Sequence, residues 1–264
     1  MKNKRLLFWG VSLLCVAGAA FCGWNLYQEI KPRVEAEQVY DQVREIAFRE
    51  SGAAADRDGE HAAADTAGPD IRIRPDLEAL MQWNPDIAGW LWSPGTDIDY
   101  PIVQGADNEY YLNHTADGAV SIIGSVFMEY QNQKEFQDDV TVLYGHHIRG
   151  GRMFSSLSGY KGQSYYEEHP VVYLYTPDRD YQVQLFAGQI IDGQTGTFPL
   201  VFKNGEEREV WLKQLLASSS FKSPVTVEEN ERILALCTCS YEYNDARYVV
   251  YGVLREMEEE LYEN

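Results

Sequence analysis

The stretch "ILALCTCSYEYNDAR" (residues 233–247) holds two of the chain's four cysteines, spaced Cys-Thr-Cys, with Arg247 after the second. Its first half runs apolar until the polar "SYEYNDA" (240–246), and a short apolar run bounded by turn residues reads as a strand. Side chains two apart on a strand share a face. Ile233, Ala235, Cys237 and Cys239 therefore point one way, and Leu234, Leu236 and Thr238 the other. The two cysteine α-carbons would lie about 6.6 Å apart on an extended strand, at the outer limit for a disulfide. Cys239 ends the strand, where a nucleophile is better exposed than at mid-strand Cys237. Arg247 opens the next run, so a hairpin returns it beside Cys239. A fixed guanidinium there stabilises an acyl-transfer oxyanion; a surface ion pair with Glu242 or Asp245 explains the residue equally well.

Working outward, the same texture recurs upstream. "GWLWSP" (89–94), "DYPIVQG" (99–105), "GSVFMEY" (124–130), "VTVLYGHH" (140–147), "VVYLYTP" (171–177) and "YQVQLFAGQIID" (181–192) join "RILALCTC" (232–239) and "ARYVVYGVL" (246–254). Eight such runs predict a mainly β fold, a closed or nearly closed barrel. Helices are expected at 76–83, around 153–160 and at 206–218, the last with Val210, Leu212, Leu215 and Leu216 as its apolar face. A hydrophobic content of 45% with 13% aromatics is enough to bury a core. A formal charge of −19 excludes nucleic acid as a partner, because phosphate backbones are bound by basic surfaces.

The N-terminal part differs. Lys2, Lys4 and Arg5 precede an uncharged apolar run at 6–27, and about 20 helical residues cross a bilayer core. The bases lie on the N-terminal side and no acid precedes Glu29, which keeps the N-terminus cytoplasmic. A cleaved signal peptide is the alternative, but its apolar region runs only about 7–15 residues. Phe21, where a small residue should precede Cys22, argues against a lipoprotein. The expected organisation is a cytoplasmic tail (1–5), a transmembrane signal-anchor (6–27), a stalk helix with a flexible linker (28–75), a folded domain (76–254) and an acidic tail (255–264). The protein is thus expected in the cell membrane with its domain outside. Cys15 and Cys22 fall within the span, leaving Cys237 and Cys239 as the thiols of the exported domain, without a framework of paired cysteines.

A thiol becomes nucleophilic when a neighbour holds it as thiolate, usually histidine. His61 lies in the linker at 51–70, His169 precedes Pro170 in a loop, and His114 follows a Tyr-Tyr-Leu-Asn turn. His146 and His147 end an apolar strand and enter the glycine-rich "IRGGRMF" (148–154), the kind of strand end on which sites are built. By itself "GHH" fits a buried, satisfied histidine better than a catalytic one. A zinc site made of these histidines and Cys237 and Cys239 lacks the usual cysteine spacing, and adjacent histidines on a strand face opposite ways. No metal or cofactor is expected.

Taken together, "LYGHH" (143–147), "GGRMFSSLSGY" (150–160) and "ALCTCSYEYNDARYVVYG" (235–252) resemble the sortases, class B in particular. "NPDIAGWLWSPGTDIDYPIVQGADNEYYLNH" (84–114) and "VVYLYTPDRDYQVQLF" (171–186) agree, so the resemblance covers 76–254. It implies a sortase-type eight-stranded β-barrel with flanking helices and a cysteine transpeptidase activity. Carried over by position, Cys239 becomes the nucleophile, His146 the general acid and base, and Arg247 the oxyanion stabiliser. Asn108, Leu112, Tyr144 and Cys237 become contacts to the sorting peptide. The implied partners are surface proteins with a C-terminal sorting signal, and an amine from a peptidoglycan precursor or a pilin lysine. Ala235 departs from the family's Thr-Leu-x-Thr-Cys segment, and Cys237 takes its variable position, often serine. No acid is fixed well enough to complete a triad. The rivals are a secreted hydrolase of the Cys-His type, although papain-like chains place the cysteine before the histidine, and a non-catalytic adhesin, which would need none of the three residues.

Overall fold

The computed structural model describes residues 2–49, 73–148, 151–239 and 245–257. Among the described residues there are ten strands: β1 (Ile87–Trp92), β2 (Asp99–Val103), β3 (Val126–Met128), β4 (Val140–Tyr144), β5 (His147–Ile148), β6 (Arg152–Met153), β7 (Val171–Tyr175), β8 (Asp180–Asp192), β9 (Ile233–Cys239) and β10 (Ala246–Glu256). Eight of them close a barrel in the order β1-β2-β3-β4-β9-β10-β8-β7, and β7 returns to β1. These are the eight runs read from the sequence. The β2–β3 and β4–β9 pairs are parallel, so β9 sits between parallel β4 and antiparallel β10. The short β5–β6 hairpin stands apart from the barrel.

Position in the sheet explains why β9 reads as an unbroken apolar run. Leu234 and Leu236 join one buried cluster with Leu143, Val183 and Val250. Ile233, Ala235 and Cys237 join another with Phe186, Val249 and Tyr251. A strand covered on both faces has no polar alternation to show. The second cluster lies under α4 (Gly205–Ser218), which follows α1 (Lys2–Ala47), α2 (Leu77–Trp83) and α3 (Gln163–Glu168) among the described residues.

Helix starts follow local chemistry. Asp76 accepts from the Ala79 N–H at 2.9 Å to cap α2, and Asn204 accepts from the Glu207 N–H at 2.9 Å to cap α4, with Glu206 and Glu207 in the first turn where the dipole favours anions. The packed face of α4 differs from the expected one. Val210 and Leu216 are exposed, at 49% and 52%. The stripe facing the barrel is Arg208, Trp211, Leu212 and Leu215, spaced i, i+3, i+4, i+7. Arg208 reaches inward to donate to the Glu228 carbonyl at 3.0 Å. The expected helix at 153–160 is a 3₁₀ segment, Ser155–Lys161, followed by α3.

α1 is continuous over Lys2–Ala47, so the expected anchor and stalk share one backbone helix. Its second half is docked. Ala36, Tyr40, Val43 and Ala47 are buried at heptad-like spacing, the Tyr40 hydroxyl donates to the Gly124 carbonyl at 2.6 Å, and its ring meets Tyr100 edge-on. Of the expected anchor, residues 6–8 and 10–16 have side chains outside the described set, while residues 9 and 17–27 are exposed; the whole linker at 51–70, with His61, and most of the acidic tail also lie outside the described residues. Among the described residues no helix is long and apolar enough to cross a membrane.

Candidate active site

The end of β9 and its two neighbours assemble the site. Cys239 lies directly opposite Arg247 on β10, and Cys237 lies opposite Tyr144 on β4. Beyond Tyr144, β4 gives way to Gly145, whose N–H donates to the Cys237 carbonyl at 3.1 Å. The Gly145 carbonyl accepts the buried Thr238 hydroxyl at 2.8 Å. These two bonds tie the residue before His146 to Cys237 and Thr238. Only glycine fits there: a Cβ on Gly145 would come within 2.7 Å of the Phe154 ring.

The result is one cavity of ≈ 200 Å³. All seven residues expected at the site line it: Cys239, His146 and Arg247, with Asn108, Leu112, Tyr144 and Cys237. Phe127, Gly145 and Thr238 line it too. Both thiols are free and share the face expected of them, yet Cys237 is buried and Cys239 exposed. Burial pushes the Cys237 thiol up to about 12, against the opposing pull of the Arg247 guanidinium that hydrogen-bonds it. Cys237 is therefore held as a neutral thiol at ordinary pH.

His146 donates through Nε2 to the Leu112 carbonyl at 2.7 Å, because a carbonyl oxygen can only accept. A neutral ring with Nε2 protonated keeps Nδ1 as its basic atom. Leu112 closes a 3₁₀ turn, Tyr110–Leu112, so this backbone turn fixes both the tautomer and the direction of the ring. His147 does not line the cavity; its Nδ1 donates to the Cys239 carbonyl at 3.3 Å. The other described histidines have structural partners. His114 stacks on Tyr110 and meets its carbonyl at 2.7 Å, and His169 meets the Pro94 carbonyl at 3.1 Å. Among the described residues no cluster of three or more histidine, cysteine or acidic side chains is placed to hold a metal.

Arg247 spreads over the Tyr144 ring, 5.9 Å from Cζ to centroid. Gly193 makes room for it, since a Cβ there would meet Arg247 Nε at 2.8 Å. Burial and the neighbouring Glu129 carboxylate push the Tyr144 phenol above its ordinary range. Glu129 itself was not singled out from the sequence. Its carboxylate accepts from Tyr144 Oη at 2.9 Å and from Asn108 Nδ2 at 2.7 Å.

Comparison with known proteins places this arrangement. A family model described as the sortase domain matches residues 93–255. The chain is 29% identical to sortase B of Listeria monocytogenes over 256 residues, covering 96% of this chain and 99% of that protein. It is 32% identical to sortase B of Staphylococcus aureus over 173 residues, covering 66% of this chain and 71% of that protein. Among solved structures, sortase B from Bacillus anthracis in complex with AAEK1 superposes with a TM-score of 0.71 at 27% identity, covering 86% of this chain and all of the other (100%). The Staphylococcus aureus sortase B–substrate complex gives 0.65 at 31% identity, covering 69% and 85%. With its closed eight-stranded barrel, the chain belongs to the sortase family, as a class B cysteine transpeptidase.

Proposed function

We infer that this chain is a membrane-anchored sortase in which Cys239 carries the acyl group. Cys239 passes its thiol proton to His146 Nδ1, and its sulfur attacks the threonyl carbonyl of a sorting signal in an exported protein, forming a C–S bond. The tetrahedral oxyanion is held by Arg247. The C–N bond of the scissile amide then breaks, and its leaving amine takes a proton from His146. An incoming amine, from a peptidoglycan precursor or a pilin lysine, attacks the thioester and gives its proton to His146; the C–S bond breaks, and His146 returns the proton to the Cys239 sulfur. The apolar run at 6–27, with its bases on the N-terminal side, supplies the anchor.

The observation that carries this reading is the convergence of an exposed thiol, an imidazole with a fixed tautomer and a clamped guanidinium on one cavity. The test is incubation with a panel of sorting peptides and an amine acceptor, read by mass spectrometry. Peptide joined to the amine is expected. Cleavage to the free acid alone, with acceptor in excess, would instead make the protein a hydrolase of the Cys-His type.

A further inference from the structure

Glu129, just after β3, is 8% exposed, and the reaction outlined above makes no use of it. Burying a carboxylate is costly unless its oxygens are filled. Here one oxygen accepts from the Gln131 N–H at 3.3 Å. The other accepts from two side chains that line the cavity, Asn108 and Tyr144. The buried charge is thus spent on two walls of the groove.

The Asn108 amide is fixed at both ends. Nδ2 donates to Glu129, and Oδ1 accepts from the Tyr130 N–H at 3.0 Å. Turning the amide over would set oxygen against carboxylate and N–H against N–H. Glu129 therefore dictates which end faces which way. An amide nitrogen carries two hydrogens, and Glu129 takes one. The other has no protein partner among the described residues, in a side chain that lines the cavity. Tyr144 is held in the same manner, hydroxyl on Glu129 and ring beneath the Arg247 guanidinium.

We propose that Glu129 is a positioning residue for peptide binding, orienting the free Asn108 N–H toward an acceptor of the bound peptide and steadying the Tyr144 ring beneath Arg247. The proposal rests on reading this cavity as the peptide groove. Steady-state kinetics with a turned-over sorting peptide and thermal unfolding test it. Glu129→Gln is to be compared in the wild type and in a background carrying Asn108→Ala and Tyr144→Phe.

In the wild type, Glu129→Gln should raise KM about tenfold, as expected for one charge-assisted hydrogen bond, with kcat little changed and Tm lowered. In the double-variant background it should leave KM alone and raise Tm, because a buried carboxylate stripped of its donors is costlier than an amide. A lower Tm with unchanged KM in the wild type would leave Glu129 only a structural role. An equal KM effect in both backgrounds would mean it does not act through Asn108 and Tyr144. Either result overturns the proposal. Asn108→Ala separates the two levels of the reading. If it raises KM while Glu129→Gln does not, the proposal alone fails; if neither raises KM, the groove reading fails with it. Should Glu129→Gln not fold, Asn108→Asp tests the contact from the other side: facing the Glu129 carboxylate, it should raise KM more than Asn108→Ala. An equal or smaller rise would contradict the proposal.

Discussion

At Cys237, burial raises the thiol from its ordinary 9.0 to about 12, while Cys239, two residues on, is exposed. Unfolded, the Cys237 thiol ionises near the lower value; folded, it holds its proton to the higher one. Its contribution to stability is therefore fully present below 9.0 and is lost as pH rises toward about 12. Cys237→Ser should remove that part of the alkaline slope in Tm, while transpeptidation stays mostly intact because the attacking sulfur remains. If the variant kept the full slope, the thiol would not be the titrating group. At this scale much of the site was legible, since period two on β9 puts both thiols on one face and the family motif names His146 and Arg247. Glu129 was not. A single acid in "VFMEYQ" (126–131) reads as surface, and its partners lie elsewhere in the chain, Asn108 in a loop and Tyr144 at the end of β4.

Three adjacent strands, β4, β9 and β10, do most of the positioning. Parallel β4 delivers the backbone to Gly145 level with Cys237, and β10 returns Arg247 to Cys239. Gly145→Ala should strain this junction, since its Cβ would meet the Phe154 ring at 2.7 Å. Overpacking of this kind costs about 1–3 kcal/mol, or roughly 2–4 °C of Tm per kcal/mol for a domain of this size. The smaller side chain of Phe154→Leu, added to Gly145→Ala, should recover part of the loss. A scan that finds Gly145→Ala as stable as wild type would rule out this contact as the reason for glycine. The eight barrel strands were legible because turn residues bound each apolar run. The face of α4 was not: the helix offers Val210 and Leu216 as candidates, yet the barrel takes Trp211 and Arg208. Arg208 is drawn inward by the Glu228 carbonyl, a partner that no helical periodicity reveals.

For the whole molecule, the expected stalk helix is continuous with the run before it, and the second half of that helix is packed on the barrel through Ala36, Tyr40, Val43 and Ala47. A stalk helix was legible from the sequence; what its apolar side faces is a tertiary matter. If 6–27 anchors the chain, external protease on intact cells should cut within the small, acidic stretch at 51–70. The nicked domain should stay with the cells until the docked face lets go. Tyr40→Ala, which removes the bond to the Gly124 carbonyl, should hasten its release. A domain shed without protease, or a mature chain beginning after Cys22, would contradict the anchor. Whether Cys239 carries the acyl group is decided in the peptide incubation itself. A sorting peptide is added without amine acceptor, the reaction is quenched in acid, and the acyl adduct is located by digestion and mass spectrometry. A single thioester is expected, on Cys239, that vanishes in Cys239→Ala and persists in Cys237→Ser. An adduct on Cys237, or one that survives Cys239→Ala, would contradict that assignment.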